Sequence, residues 1–166
     1  MEAYLNQLED VPPHQIAYVD ETGVDTCLYR EYAWSKRGEV VYGKVSGRKY
    51  KRAGIVAARM GNRIIAPLQY DGTMDSTLFE LWFRQCLLPT LPESAIIVMD
   101  NAAFHRKSRL FEFAQIAGHR LVFLPPYSPE LNPIENFWSW LKRQLRKILP
   151  QHNSFNDALF ECFQVR

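Results

Sequence analysis

Five consecutive residues near the middle of the chain, Ala95 to Met99 (AIIVM), are all apolar, and the run ends at Asp100. A run this short and uniformly apolar belongs to a strand buried on both faces of a sheet. The neighbouring segments supply the cover. Asp75 or Ser76 is placed to cap a helix reaching about Leu88, with Leu78, Leu81, Trp82 and Cys86 on one face and Pro89 and Pro92 ending it. Lys107 to Ala117 reads as a second helix stopped by Gly118, and Arg120 to Leu124 as a strand ended by Pro125-Pro126.

The first third has a different period. Ile16 to Thr22 (IAYVDET) reads as a strand closed by Gly23. Residues 32–47 suggest a strand pair or a bulged strand, and Lys51–Met60 and Arg63–Tyr70 a hairpin turning at Gly61-Asn62. The proline-rich loop PPYSPELNP (125–133) leads into a helix from Pro133 to about Leu149, stopped by Pro150, and a last helix spans Ser154 to Phe163. The expected class is α/β: a mixed sheet with antiparallel neighbours first, covered by helices.

At 166 residues, with neither repeat nor linker, the chain fits one domain. No window reaches 18 uncharged apolar residues, and the acidic start MEAYLNQLED lacks the basic and apolar regions of a signal peptide, so an intracellular protein is expected. Cys27, Cys86 and Cys162 are odd in number and match no zinc spacing, nor do the four histidines, which argues against a zinc enzyme. A net charge of +2 is uninformative, but its distribution is not. Nine basic residues against Glu39 alone lie between Lys36 and Arg63, four lie within Lys142–Lys147, and Arg106, Lys107 and Arg109 form a third group. Clustered basic charge is the footprint of phosphate binding, with solvated faces as the alternative.

Asp20 and Asp100 each stand near the C-terminal end of an apolar strand, where sites in open α/β sheets gather. If those strands are parallel neighbours, both acids enter one crevice, and their repulsion calls for a cation, with magnesium the natural candidate. Alternation turns Glu21 to the opposite face from Asp20, leaving it at best a supporting residue behind the site. Glu135 has two readings. Asn132-Pro133-Ile134-Glu135 is close to a capping box. Yet at 100° per residue Ile134, Trp138, Leu141, Leu145 and Ile148 form an apolar stripe, while Glu135, Ser139, Lys142 and Arg146 form a second stripe, acidic then basic, that a plain cap does not need.

VDETG around Asp20, VMDNAAFH from Val98 to His105 and LPPYSPELNPIENFWSWLK from Leu124 to Lys142 resemble the DDE transposases, in the bacterial insertion-sequence branch related to the mariner superfamily. The 34 residues between Asp100 and Glu135 match that branch's spacing. The resemblance implies a ribonuclease-H-like fold, with a mixed five-stranded sheet carrying two aspartates on adjacent strands and the glutamate on a later helix. It further implies that Asp20, Asp100 and Glu135 ligate two Mg2+ or Mn2+ ions. Water would cut a phosphodiester at the transposon end, and the freed 3′-hydroxyl would attack target DNA, without a covalent enzyme intermediate. Asn101 and His105 would orient the site, and Lys142, Arg143 and Arg146 would contact DNA phosphates. The implied partners are double-stranded DNA and a second copy in a synapsed homodimer, and the implied setting is the bacterial cytoplasm, at the nucleoid. Family members carry helix-turn-helix modules ahead of this domain; with Asp20 so near the start, residues 1–166 are expected to be the catalytic domain alone. Another nuclease of the same fold, or a non-catalytic DNA-binding module, are the competing readings.

Overall fold

The computed structural model describes residues 4, 6–25, 52–126 and 128–164. Strands β1 (Ile16–Asp25), β2 (Arg52–Met60), β3 (Arg63–Asp71), β4 (Ile96–Met99) and β5 (Arg120–Phe123) form one sheet in the order β3-β2-β1-β4-β5. β1 and β3 both run antiparallel to β2, whereas β4 is parallel to β1 and β5 to β4. Helices α1 (Ser76–Trp82), α2 (Lys107–Ile116), α3 (Ile134–Ile148) and α4 (Phe155–Gln164) cover it. This is the expected mixed five-stranded α/β architecture. No helix among the described residues is long and apolar enough to cross a membrane.

Strand alternation sorts the core into two layers. Ala17, Val19, Ile97 and Met99 face α1 and α2, packing on Phe79, Trp82, Phe83 and Leu110. On the other face Val24, Ile55 and Ala57 meet Ile134, Phe137, Trp138, Leu141 and Leu145 of α3. Beside them Ile16, Ile96, Val98 and Val122 are covered by Tyr4, Leu8 and Val11 of the N-terminal segment. All four residues of β4 are buried, as a doubly covered strand requires. α2 ends in a Schellman motif: Gly118, at φ 80°, donates to Gln115 and His119 donates to Ala114.

Several boundaries differ from expectation. β1 continues through Gly23 to Asp25, because Gly23 pairs with Gly54 of β2 and the missing Cβ atoms leave room for the Arg52 and Tyr70 side chains. The helix expected to reach Leu88 is α-helical only to Trp82; a π turn (Phe83–Leu87) and a 3-10 turn (Leu88–Thr90) follow. Its buried face is Phe79, Trp82, Phe83 and Leu87, whereas Leu81 is 49% exposed. The larger rings take the core position, since each buries more apolar area. Asp75 caps as expected, accepting from Leu78 N–H at 2.8 Å. The strands expected over 32–47, Cys27 and the basic residues Lys36, Arg37, Lys44, Arg48, Lys49 and Lys51 lie outside the described residues.

Candidate active site

The parallel register between β1 and β4 ends at Val19 paired with Met99, so the next residue on each side is Asp20 and Asp100. Neighbouring strands run about 4.8 Å apart, which sets the two acids side by side at the same end of the sheet. Asp20 is still within β1, and alternation turns it toward α3. There the Trp138 indole Nε1 donates to Asp20 Oδ2 at 3.1 Å. Trp138 thus serves the core stripe with its ring and the acid with its N–H. Asp100 lies one residue past β4, and its Oδ1 accepts from Ala102 N–H at 3.3 Å in an Asx-type turn.

Glu135 stands exposed in the first turn of α3. The capping box does not form. Pro133 occupies the N-cap, no side chain caps the helix, and buried Asn132 Oδ1 has no hydrogen-bond partner. The helix start is instead held from the sheet: Arg59 of β2 donates from Nη1 to Pro133 O at 2.7 Å and from Nε to Gly61 O at 3.0 Å. Arg59 therefore works inside the fold rather than as a free phosphate contact.

Asp20, Asp100 and Glu135 line one cavity of about 430 Å³, walled also by Asn101, Pro125 and Ser128. Burial pushes the Asp20 carboxyl up from an ordinary 3.8 to about 8, helped by the charges of Glu135, Glu21 and Asp100 and opposed by a backbone hydrogen bond at Glu21. A carboxylate in this position needs a compensating positive charge.

Of the two residues expected to orient the site, Asn101 lines the cavity, and His105 is buried behind it. The ring nitrogens of His105 approach Asp100 Oδ1 (Nδ1, 3.6 Å) and Glu21 Oε1 (Nε2, 3.6 Å). Glu21, Asp100 and His105 are the group of three possible metal-ligating side chains that lie within 4.8 Å of one another among the described residues. Glu21 does lie on the face opposite Asp20, as alternation requires, yet it reaches the second acid through the imidazole. Sequence reasoning does not find the roles of Trp138, Arg59 or the Glu21–His105 contact. The adjacent DE pair and the histidine five residues after Asp100 are the available signals for the last.

On α3, Arg143 and Arg146 are exposed and Lys142 half-buried, with Lys142 and Arg146 continuing the stripe that Glu135 begins. The third basic group has internal partners: Arg109 and Arg106 pair with buried Glu80 at 3.0 and 3.6 Å, and Lys107 sits 5.3 Å from the Phe123 ring centre.

Comparison with known proteins extends these observations. The uncharacterized protein y4pE/y4sA of Sinorhizobium fredii is 42% identical over 73 residues, covering 41% of this chain and 47% of that protein. Among solved structures, the Mos1 transposase paired-end complex with left transposon end superposes with a TM-score of 0.70 at 14% identity, covering 98% of this chain and 56% of that one. The Mos1 transposase catalytic domain with raltegravir and Mg gives 0.65 at 16% identity, over 99% and 79% of the two chains. The catalytic core domain of BIV integrase gives 0.55 at 15% identity, over 90% and 81%. The chain spans about half the length of the first relatives in each comparison. These likenesses identify the fold as the ribonuclease-H-like one of transposase and integrase cores. The model of the DDE superfamily endonuclease family matches residues 15–157, nearly the whole chain, and the chain belongs to that family.

Proposed function

We propose that this chain is the catalytic domain of a transposase, cutting phosphodiester bonds at transposon ends and joining the freed 3′-hydroxyls to target DNA. One observation carries the reading: three carboxylates from β1, the end of β4 and the start of α3 line a single cavity. Asp20 is held there at a cost that a cation offsets. The donor set suits Mg2+ or Mn2+, which take oxygen ligands, and Asp20, Asp100 and Glu135 are assigned to hold them. Two such ions held by Asp20, Asp100 and Glu135 would supply Lewis-acid stabilisation of the oxygens that attack and leave at phosphorus.

The protein's own part is positioning. Trp138 keeps the Asp20 carboxylate from rotating, Arg59 ties the Glu135 turn to the sheet, and Asn101 and His105 orient the Asp100 side. Lys142, Arg143 and Arg146 neutralise phosphates along α3 and hold the duplex without reading its sequence. Residues 1–166 act as one catalytic domain, with recognition of transposon ends supplied by helix-turn-helix modules and synapsis by a homodimer at the nucleoid. The test is nicking of supercoiled DNA in Mn2+ by this chain joined to such modules. Asp100→Asn is expected to abolish nicking; undiminished nicking removes Asp100 from the reaction.

A further inference from the structure

Of the contact between Glu21, His105 and Asp100, only the imidazole's approach to Asp100 is used above; the buried Glu21 on the other side of the ring has no assigned part. The His105 side chain is 1% exposed and that of Glu21 15%, whereas Asp100, at 49%, opens on the cavity. Both ring nitrogens of His105 and Oε1 of Glu21 are buried without a hydrogen-bond partner. Burying these polar atoms is costly, and packing alone gives no reason for it. The ring is gripped by two aromatics, Phe79 and Phe104, each with its centroid 4.4 Å away and tilted by 40° and 71°. The imidazole therefore has little freedom to turn, and each nitrogen is aimed at a different carboxylate. The 3.6 Å separations lie within ion-pair range and just outside hydrogen-bond range.

We propose that Glu21 and His105 form a buried brace that fixes the Asp100 carboxylate for ion binding: Glu21 sets the imidazole, and the imidazole sets Asp100. This rests on the reading of Asp100 as an ion-holding residue. The geometry favours a brace over a metal cage made of the same three side chains. A single ion takes one ring nitrogen, and here Nε2 is turned to Glu21 while Nδ1 is turned to Asp100. In such an arrangement one oxygen of Asp100 is held from behind, by the ring and the Ala102 N–H, and the other is left to face the cavity. Glu21 and His105 are thus positioning residues, acting through Asp100 rather than on DNA.

The experiment measures Mn2+ affinity of the full chain by calorimetric titration, with the melting temperature of the metal-free protein recorded alongside. His105→Phe keeps a ring between Phe79 and Phe104 but removes both nitrogens. It is expected to melt no lower than wild type and to bind Mn2+ about 10- to 100-fold more weakly, the usual loss when a partner behind a ligand is removed. His105→Asn, whose amide nitrogen can occupy the place of Nδ1, is expected to recover part of that affinity. Glu21→Gln is expected to weaken binding too, and to add nothing in the His105→Phe background, since it acts through the ring. Wild-type Mn2+ affinity in His105→Phe overturns the brace; should that variant not fold, equal affinity of wild type and Glu21→Gln overturns it instead. Asp100→Asn separates this from the broader reading. If it loses Mn2+ while His105→Phe does not, the brace alone fails; if it binds Mn2+ as wild type does, both fail.

Discussion

Replacing Asp20 by asparagine should make the metal-free protein more stable at pH 8. Asp20 has its folded pKa raised from 3.8 to about 8, so the stability it contributes is fully present below pH 4 and is lost as pH rises through 8. At about 1.4 kcal/mol per pH unit the full rise sets a ceiling of about 6 kcal/mol on the cost of the ionised form. Solvent entering an open cavity reduces this to an expected gain of about 2–3 kcal/mol for the variant. The substituted amide carries no charge at any pH, and its oxygen can still accept from the Trp138 indole. For a chain of this size the gain corresponds to about 4–12 °C in melting temperature. Scanning calorimetry without divalent ions should show the two proteins close together at pH 4 and separating in the variant's favour toward pH 8. Adding Mn2+ at about 100 times its Kd should raise wild type by about 2.7 kcal/mol and leave the variant nearly unmoved, closing or reversing the gap. A variant less stable than wild type at pH 8 without metal, or equally stabilised by Mn2+, would mean that the Asp20 carboxylate carries no such cost and holds no ion.

Two further perturbations address how the site is presented. Lys142→Ala with Arg146→Ala is expected to weaken duplex binding at low salt and to lower the salt slope by about 2, with melting temperature little changed; unchanged affinity in a fluorescence titration marks this face as solvated charge. Arg59→Met removes the bonds to Pro133 O and Gly61 O while keeping a long apolar stem, and is expected to cost about 1–3 kcal/mol in urea denaturation and to lower the Mn2+-induced stabilisation as the Glu135 turn loosens. Loss of stability with full metal stabilisation would limit Arg59 to a structural role.

Much of the frame is legible because it depends on local patterns. The run AIIVM reads as a doubly covered strand, Gly61-Asn62 as a turn, and Gly118 as a helix stop, and each is found so. The condition attached to Asp20 and Asp100, parallel neighbouring strands, is met by the β1–β4 register. What escapes depends on contacts across long sequence separations or on helix phase. Trp138 reads as an apolar stripe residue, and nothing local says that its N–H meets an acid 118 positions away. Arg59 looks like one more basic charge until β2 is laid against the start of α3. Leu81 falls in the core only under an uninterrupted 3.6-residue period, whereas Phe79, Trp82 and Phe83 fill the space and a π turn follows. Glu135 is ambiguous in sequence, and without the Asn132 cap its carboxylate faces the cavity with Asp20 and Asp100.

Whether Asp20, Asp100 and Glu135 together hold divalent ions is decided by a crystal structure of the chain soaked in Mn2+, with the metal located by anomalous scattering. Mn2+ is expected between Asp20 and Asp100, directly bound by their oxygens, with Glu135 reaching the same cluster. Mn2+ bound by His105 and Glu21 away from Asp20, or carboxylates of the three acids lying more than about 10 Å apart in the soaked crystal, would contradict it.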